Sequence, residues 1–219
     1  MLKTCIALLA LVCAAGPAVA QTPASTPTDA ATKAHTSDIG FSYSLPVDWE
    51  VVDTAASVSA VKEKVKDEAT SEGEKRGADC TQVALTARHG TPPSVVVVVA
   101  VPFACLGQSM TEKDLPAFAG GTSDGIKNTF DVVDPISGSY TLGAHSMRIE
   151  RAKANPKGHP ETHYTLEIVC SLLKKGAVCW MNLAADNAAL QTFERGLVEL
   201  EGEAGVPLVP LTAFDKKPS

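Results

Sequence analysis

The sequence predicts an α+β fold, an antiparallel β-sheet covered by helices, and three stretches carry that prediction. Residues 164–185, YTLEIVCSLLKKGAVCWMNLAA, read as two alternating strands joined by a tight turn, with a cysteine on each arm. Residues 95–101 are apolar throughout and β-branched at all but Ala100, the pattern of a central strand covered on both faces. Residues 54–69 and 186–201 carry apolar side chains at helical spacing and supply covering helices.

In chain order, residues 1–20 come first. They combine Lys3, an apolar run over 5–15 and the small-residue site Ala18-Val19-Ala20. That is a secretory signal peptide cut between Ala20 and Gln21, which makes the mature chain secreted or periplasmic. A lipid anchor needs a small residue before its cysteine, and Val12 precedes Cys13. The apolar run is too short for a stable transmembrane span, and no later stretch is long enough. Residues 21–38, rich in Ser, Thr, Pro and Ala, read as a flexible linker with His35 in solvent. A single domain is expected over residues 39–215, with 216–219 as a frayed tail.

Within the domain, Phe41, Tyr43 and Leu45 alternate with Ser42 and Ser44, Pro46 turns the chain, and Trp49, Val51 and Val52 form a second short extended piece. Asp53 or Thr54 caps a helix to about residue 69, with Val58, Val61 and Val65 on one face. Residues 71–79, SEGEKRGAD, read as a polar loop. A strand over 81–88 and a turn at 89–93 lead into the central strand. Thr111 to Asp114 has capping-box spacing and opens a short helix that Pro116 limits and Gly120-Gly121 ends, with another turn or two over 123–130. Residues 132–152 are further strand material around Gly143, and 155–160 are a loop.

The hairpin at 164–185 places Tyr164, Leu166, Ile168 and Cys170 beside Cys179, Met181, Leu183 and Ala185 on one face. Thr165, Glu167 and Val169 lie against Ala184, Asn182 and Trp180 on the other, a mixed set suited to partial exposure or a second covering layer. Its turn is 173–176, with Gly176 free to take positive φ. Asp186 caps a helix to Glu201, striped by Leu190, Phe193, Leu197 and Leu200, and Gly202 stops it.

Signal cleavage leaves four of the six cysteines: Cys80, Cys105, Cys170 and Cys179. An even number in an exported chain implies disulfides, for which three connectivities exist. Cys80–Cys105 closes the ends of the hairpin around the central strand, and Cys170–Cys179 bridges two facing arms. These are preferred over the crossed pairings. No CxxC spacing suggests a zinc ribbon or a redox site.

The chain has 219 residues, 45% apolar and 20% charged, with a formal charge of -6 and dispersed Lys and Arg. That is globular composition without the clustered basic footprint that nucleic acid requires. There is no Gly-x-Ser-x-Gly elbow, no phosphate loop and no HExxH. No catalytic residue and no cofactor is assigned. The one candidate metal set is His159 and His163 around Glu161, although i, i+4 spacing focuses two ligands only on a helix and this stretch is a loop entering a strand. His145 reads as a strand-end histidine. Arg148 and Glu150 share a face and are placed to pair across strands with Glu167 or a neighbour.

The entry Gly40-Phe41-Ser42-Tyr43-Ser44-Leu45-Pro46-Val47-Asp48-Trp49 resembles the start of PsbP-like proteins, and the hairpin followed by a helix with a central Phe193 is similar to their ending. The resemblance implies an α/β/α sandwich and a tendency towards non-catalytic binding. Its relatives include the extrinsic photosystem II subunit, a Ran-binding nuclear transport factor and many exported bacterial proteins. The expected function is therefore an exported, non-catalytic binding or accessory protein whose partner is a protein or an envelope component. The alternatives are an envelope metal-binding protein or enzyme using His159 and His163, and a structural, self-associating envelope protein.

Overall fold

The alternation at Phe41, Tyr43 and Leu45 forms a strand, and a second strand precedes it. A computed structural model describes residues 32–69, 71–90, 93–204 and 207–210; the expected signal peptide and frayed tail lie outside the described residues. β1 (Thr32–Ser37) pairs antiparallel with β2 (Phe41–Pro46) across a turn at Gly40, whose φ of +117° suits glycine. The linker read over 21–38 therefore gives way to strand at Thr32. Polar residues without apolar period form a strand here because β2 offers a row of backbone partners that side chains need not drive.

β3 (Glu50–Val51) leads into α1 (Ala55–Glu68), where Asp53 Oδ1 accepts from the Ala55 N–H at 2.9 Å. Residues 71–79 are helical, in α2 (Glu72–Cys80), where a loop was expected. Ser71 and Glu74 form a reciprocal capping box, each side chain accepting from the other's backbone N–H at 3.2 Å, and Gly77, Ala78 and Cys80 are buried. Gly73 and Gly77 masked that start signal.

β4 (Gln82–Gly90) and β5 (Pro93–Pro102) form a hairpin that α3 (Phe103–Leu106) follows. α4 (Leu115–Ile126) runs unbroken through Gly120 and Gly121 instead of ending there. Pro116 sits in the first turn, where its missing N–H costs nothing. Leu115, Phe118, Ala119 and Ile126 are buried, and that burial outweighs about 1 kcal/mol per internal glycine.

β6 (Phe130–Leu142), β7 (His145–Pro156), β8 (Tyr164–Leu172) and β9 (Gly176–Ala184) extend the sheet as successive hairpins. Gly176 is not in the left-handed region. It is required by close approach, since a Cβ there would lie 2.7 Å from the Val101 carbonyl oxygen. α5 (Asn187–Arg195), capped by Asp186, stops at Gly196, and the expected helix to Glu201 continues instead as strand β10 (Leu197–Leu200) and then β11 (Glu203–Ala204). A Cβ on Gly196 would lie 2.3 Å from Tyr43 Cζ, and Ser44 N–H donates to the Gly196 carbonyl at 2.7 Å, so β2 captures the chain. Leu197 and Leu200 are buried in β10, and the same spacing also fits the stripe of a longer helix. Spacing alone therefore does not separate the two.

Among the described residues, the strands form an antiparallel seven-stranded sheet in the order β3-β4-β5-β9-β8-β7-β6 and a four-stranded sheet in the order β1-β2-β10-β11. β9 is buried along its whole length. α4, with α2 and α3, covers one face of the larger sheet over Val97, Val99, Leu166, Ile168 and Met181. The smaller sheet and α5 cover the other over Val96, Val98, Val169 and Trp180. The mixed hairpin face thus meets a full second layer, made of a sheet and a helix. Cys80 is bonded to Cys105 with Cα atoms 5.5 Å apart, and Cys170 to Cys179, which oppose each other in register, at 4.1 Å.

Candidate functional site

The two sheets part at one end, and a cleft of about 720 Å³ opens between them. That is the size of a small-ligand or peptide-segment site. Register explains its polar roof. Lys33, His35 and Ser37 of β1 stand opposite Leu45, Tyr43 and Phe41, so both sets share the inward side of the smaller sheet. Beneath β2 that side meets core; beneath β1 it meets the cleft, so polar residues are tolerated. His35, expected in solvent, is half-buried there.

Gln82 and Ala84 of β4, Phe103 of α3, and Lys174 and Lys175 of the β8–β9 turn complete the lining. The walls are tied together. Phe103 N–H donates to the Lys175 carbonyl at 2.9 Å, Lys175 Nζ donates to the Asp38 carbonyl at 3.1 Å, and Lys174 N–H donates to Glu201 Oε1 at 2.7 Å. The Cys80–Cys105 bond links the end of α2 to α3 alongside. The Lys174 side chain is 82% exposed and its Nζ lies 3.6 Å from Glu201 Oε2, so the ammonium stands at the mouth of the cleft already paired with one carboxylate.

A second cluster lies inside the protein. Arg151 stands opposite Glu167 across β7 and β8; its Nε donates to Glu167 Oε2 at 2.6 Å and an Nη to Glu194 Oε1 of α5 at 2.6 Å. Two carboxylates share one guanidinium, and the Glu167 side chain is 0% exposed. Burial pushes the Glu167 carboxyl up to about 7, with Arg151 pulling it down and Glu194 adding to the rise. Burial also raises Glu194, against Arg151. Tyr140 and Tyr43 are raised by burial and by the charge of Glu167; their hydroxyls donate to the carbonyls of Leu208 and Phe193. Asn182, opposite Glu167 on β9 and 1% exposed, has no hydrogen-bond partner for either amide atom among the described residues, and neither has Glu167 Oε1. A carboxyl titrating near 7 has the pKa of a general base; Glu167 itself is fully buried, and the cluster reaches the surface through Arg151 and Glu194, which are 28% and 17% exposed. The cluster is an interior tie between β7, β8 and α5.

Of the partners expected for Arg148 and Glu150 across strands, Glu167 or a neighbour, it is neighbours that they meet and not Glu167. Arg148 stands opposite Cys170 and Glu150 opposite Ile168, on the α4 side of the sheet, whereas Glu167 faces α5. Arg148 donates to the Ser137 and Ser139 hydroxyls, and Glu150 Oε1 accepts from Ser123 Oγ at 2.6 Å. The period of two assigns Glu167 to Arg151.

His159 and His163 lie in the β7–β8 loop with different partners: His159 Nδ1 is 3.4 Å from Glu161 Oε1 and His163 Nδ1 is 3.0 Å from Asn155 Oδ1. Among the described residues no group of three or more His, Cys, Asp or Glu side chains is placed to hold a metal ion. His145 begins β7 with Nε2 3.7 Å from Glu201 Oε2. No helix of the described residues is long and apolar enough to cross a membrane.

Fold and site define an antiparallel α+β domain with two disulfides and an open cleft between its sheets. No family model matches the chain, and no curated protein matches it by sequence. Among solved structures it is similar to cyanobacterial PsbP (CyanoP) from Synechocystis, with a TM-score of 0.43 and 13% identity over 81% of this chain and 91% of that one. At that TM-score and identity the likeness passes no residue role from one chain to the other.

Proposed function

We propose that this chain is an exported accessory domain that binds a partner in the cell envelope through the cleft between its two sheets, without chemistry at that site. The observation that carries the reading is the cleft itself, about 720 Å³ in volume and framed by β1, β4, α3 and the β8–β9 turn, which hydrogen bonds hold in place. Export is supported by the character of residues 1–20 and by two disulfides, which persist in oxidising compartments. The test is a photoreactive residue in place of Phe103, with the same residue at the exposed Lys153 of β7, near the opposite edge of the larger sheet from β4, as control. Irradiation of the native envelope gives a discrete adduct from position 103 and none from 153. Identical adducts from both, or none from 103, would overturn the reading, as would turnover of a substrate abolished by a substitution in the cleft.

A further inference from the structure

The floor of the cleft is an incompletely paired strand. β4 pairs with β5 over Gln82–Gly90 with a register shift between Val83 and Leu85 that leaves Ala84 unpaired; on its other side β3 covers only Ala87 and Arg88, and the Val52 N–H reaches the Thr86 carbonyl at 2.9 Å. Residues 82–85 have no partner strand on that side among the described residues, a free run of about 13 Å. Gln82 and Ala84 from this run line the cleft. A strand edge presents backbone N–H and C=O groups that an added strand satisfies.

The charge of the lining selects among possible strands. Lys174 and Lys175 stand at one end, with Lys174 Nζ 3.6 Å from Glu201 Oε2; Asp38 is the acidic residue among the described lining, and outside the lining Lys33 adds a further positive charge on the inward side of β1. The whole chain carries -6, so this positive balance is local and opposes the overall sign. Phe103 and Ala104 line the cleft with apolar surface. An extended strand points alternate side chains to opposite sides, which suits a sequence that alternates carboxylates with apolar residues.

Resting on the cleft as the binding site, we propose that its occupant is an extended acidic segment of a partner protein, added as a strand to the free edge of β4 beside β3, with its carboxylates towards Lys174 and Lys175.

The probes are short synthetic peptides alternating Glu and Val, their Lys/Val counterparts, and the Glu/Val peptides N-methylated at alternate backbone positions, which removes the ladder donors while keeping the charges. Binding to the full mature chain is read by fluorescence anisotropy, and its location by amide hydrogen exchange. The acidic peptide is expected to bind and to slow exchange over residues 82–85. Binding weakens at least about tenfold on N-methylation and about tenfold in K174E/K175E, and the milder K175Q weakens it less. Circular dichroism verifies that the variants are folded. Binding in the cleft that is indifferent to N-methylation would overturn strand addition and leave the cleft reading standing. Equal binding of acidic and basic peptides would overturn the charge argument. Protection confined to another edge, such as β6 with its exposed Val133 and Ile136, would overturn both readings. No binding at millimolar concentration would overturn the peptide assignment alone, since the adduct at position 103 decides the cleft separately.

Discussion

Glu167→Gln should stabilise the protein at neutral and alkaline pH and leave it unchanged near pH 4.5. The carboxyl titrates near 7 in the folded protein against 4.5 for an ordinary glutamate. A shift of that size corresponds to about 3 kcal/mol between protonation states. Because the folded form holds the proton more tightly than the unfolded chain, the proton stabilises folding. That contribution is complete below about pH 4.5, falls as pH rises through the window up to about 7, and is absent above it. Glutamine mimics the protonated side chain at every pH: it keeps an acceptor for Arg151 Nε and removes the second buried negative charge. Urea unfolding of both proteins at pH 4.5, 6 and 8, with disulfides intact, should give a difference near zero at the lowest pH, rising to as much as about 3 kcal/mol in favour of the variant at the highest. Glu194 shares Arg151 with Glu167, so the difference between the two proteins reports the coupled carboxylate pair. A variant less stable than the parent at pH 8 would refute the reasoning, because the ion pair with Arg151 would then outweigh the burial of Glu167.

Arg151→Ala removes the cation that Glu167 and Glu194 share and should cost about 3–5 kcal/mol at pH 8, with part of the loss recovered at pH 5 as the carboxyls protonate, measured by the same denaturation series. Gly196→Ala drives a methyl group into the Tyr43 ring and should lower stability by about 1–3 kcal/mol, seen as a fall in Tm. Replacing Cys80 and Cys105 together by serine opens a loop with a sequence separation of 25 and should cost about 3 kcal/mol, while Cys170 and Cys179 still resist alkylation in the unreduced, denatured protein. N-terminal sequencing of the mature protein should begin at Gln21, and a start at Met1 would remove the export signal from the reading.

Features that depend on short-range period were legible in the sequence. The hairpin of β8 and β9, its face assignment and the opposition of Cys170 to Cys179 follow from alternation, because strand side chains repeat every two residues and a slip would expose the core. The run at 95–101 announced a strand covered on both faces because neither face of it is polar. Glu167 stood out in the sequence as a partner for Arg148 and Glu150, but a lone carboxylate between Leu166 and Ile168 is costly to bury unless a partner meets it, and the register of β7 against β8 makes that partner Arg151.

What the tertiary structure decided depends on contacts between segments remote in sequence. Leu190, Phe193, Leu197 and Leu200 fit one helical stripe, yet Tyr43, about 150 residues earlier, occupies the space a longer helix would need at Gly196, and the chain turns into β10. Thr32–Ser37 carries no strand pattern and becomes a strand because β2 lies beside it. The cleft draws its lining from residues 35–39, 82–84, 102–104 and 174–175, four segments that no local period connects. Side-chain alternation and spacing are local and can be read from one stretch at a time; the space left between two sheets exists only once both have formed and packed, and with it the candidate site.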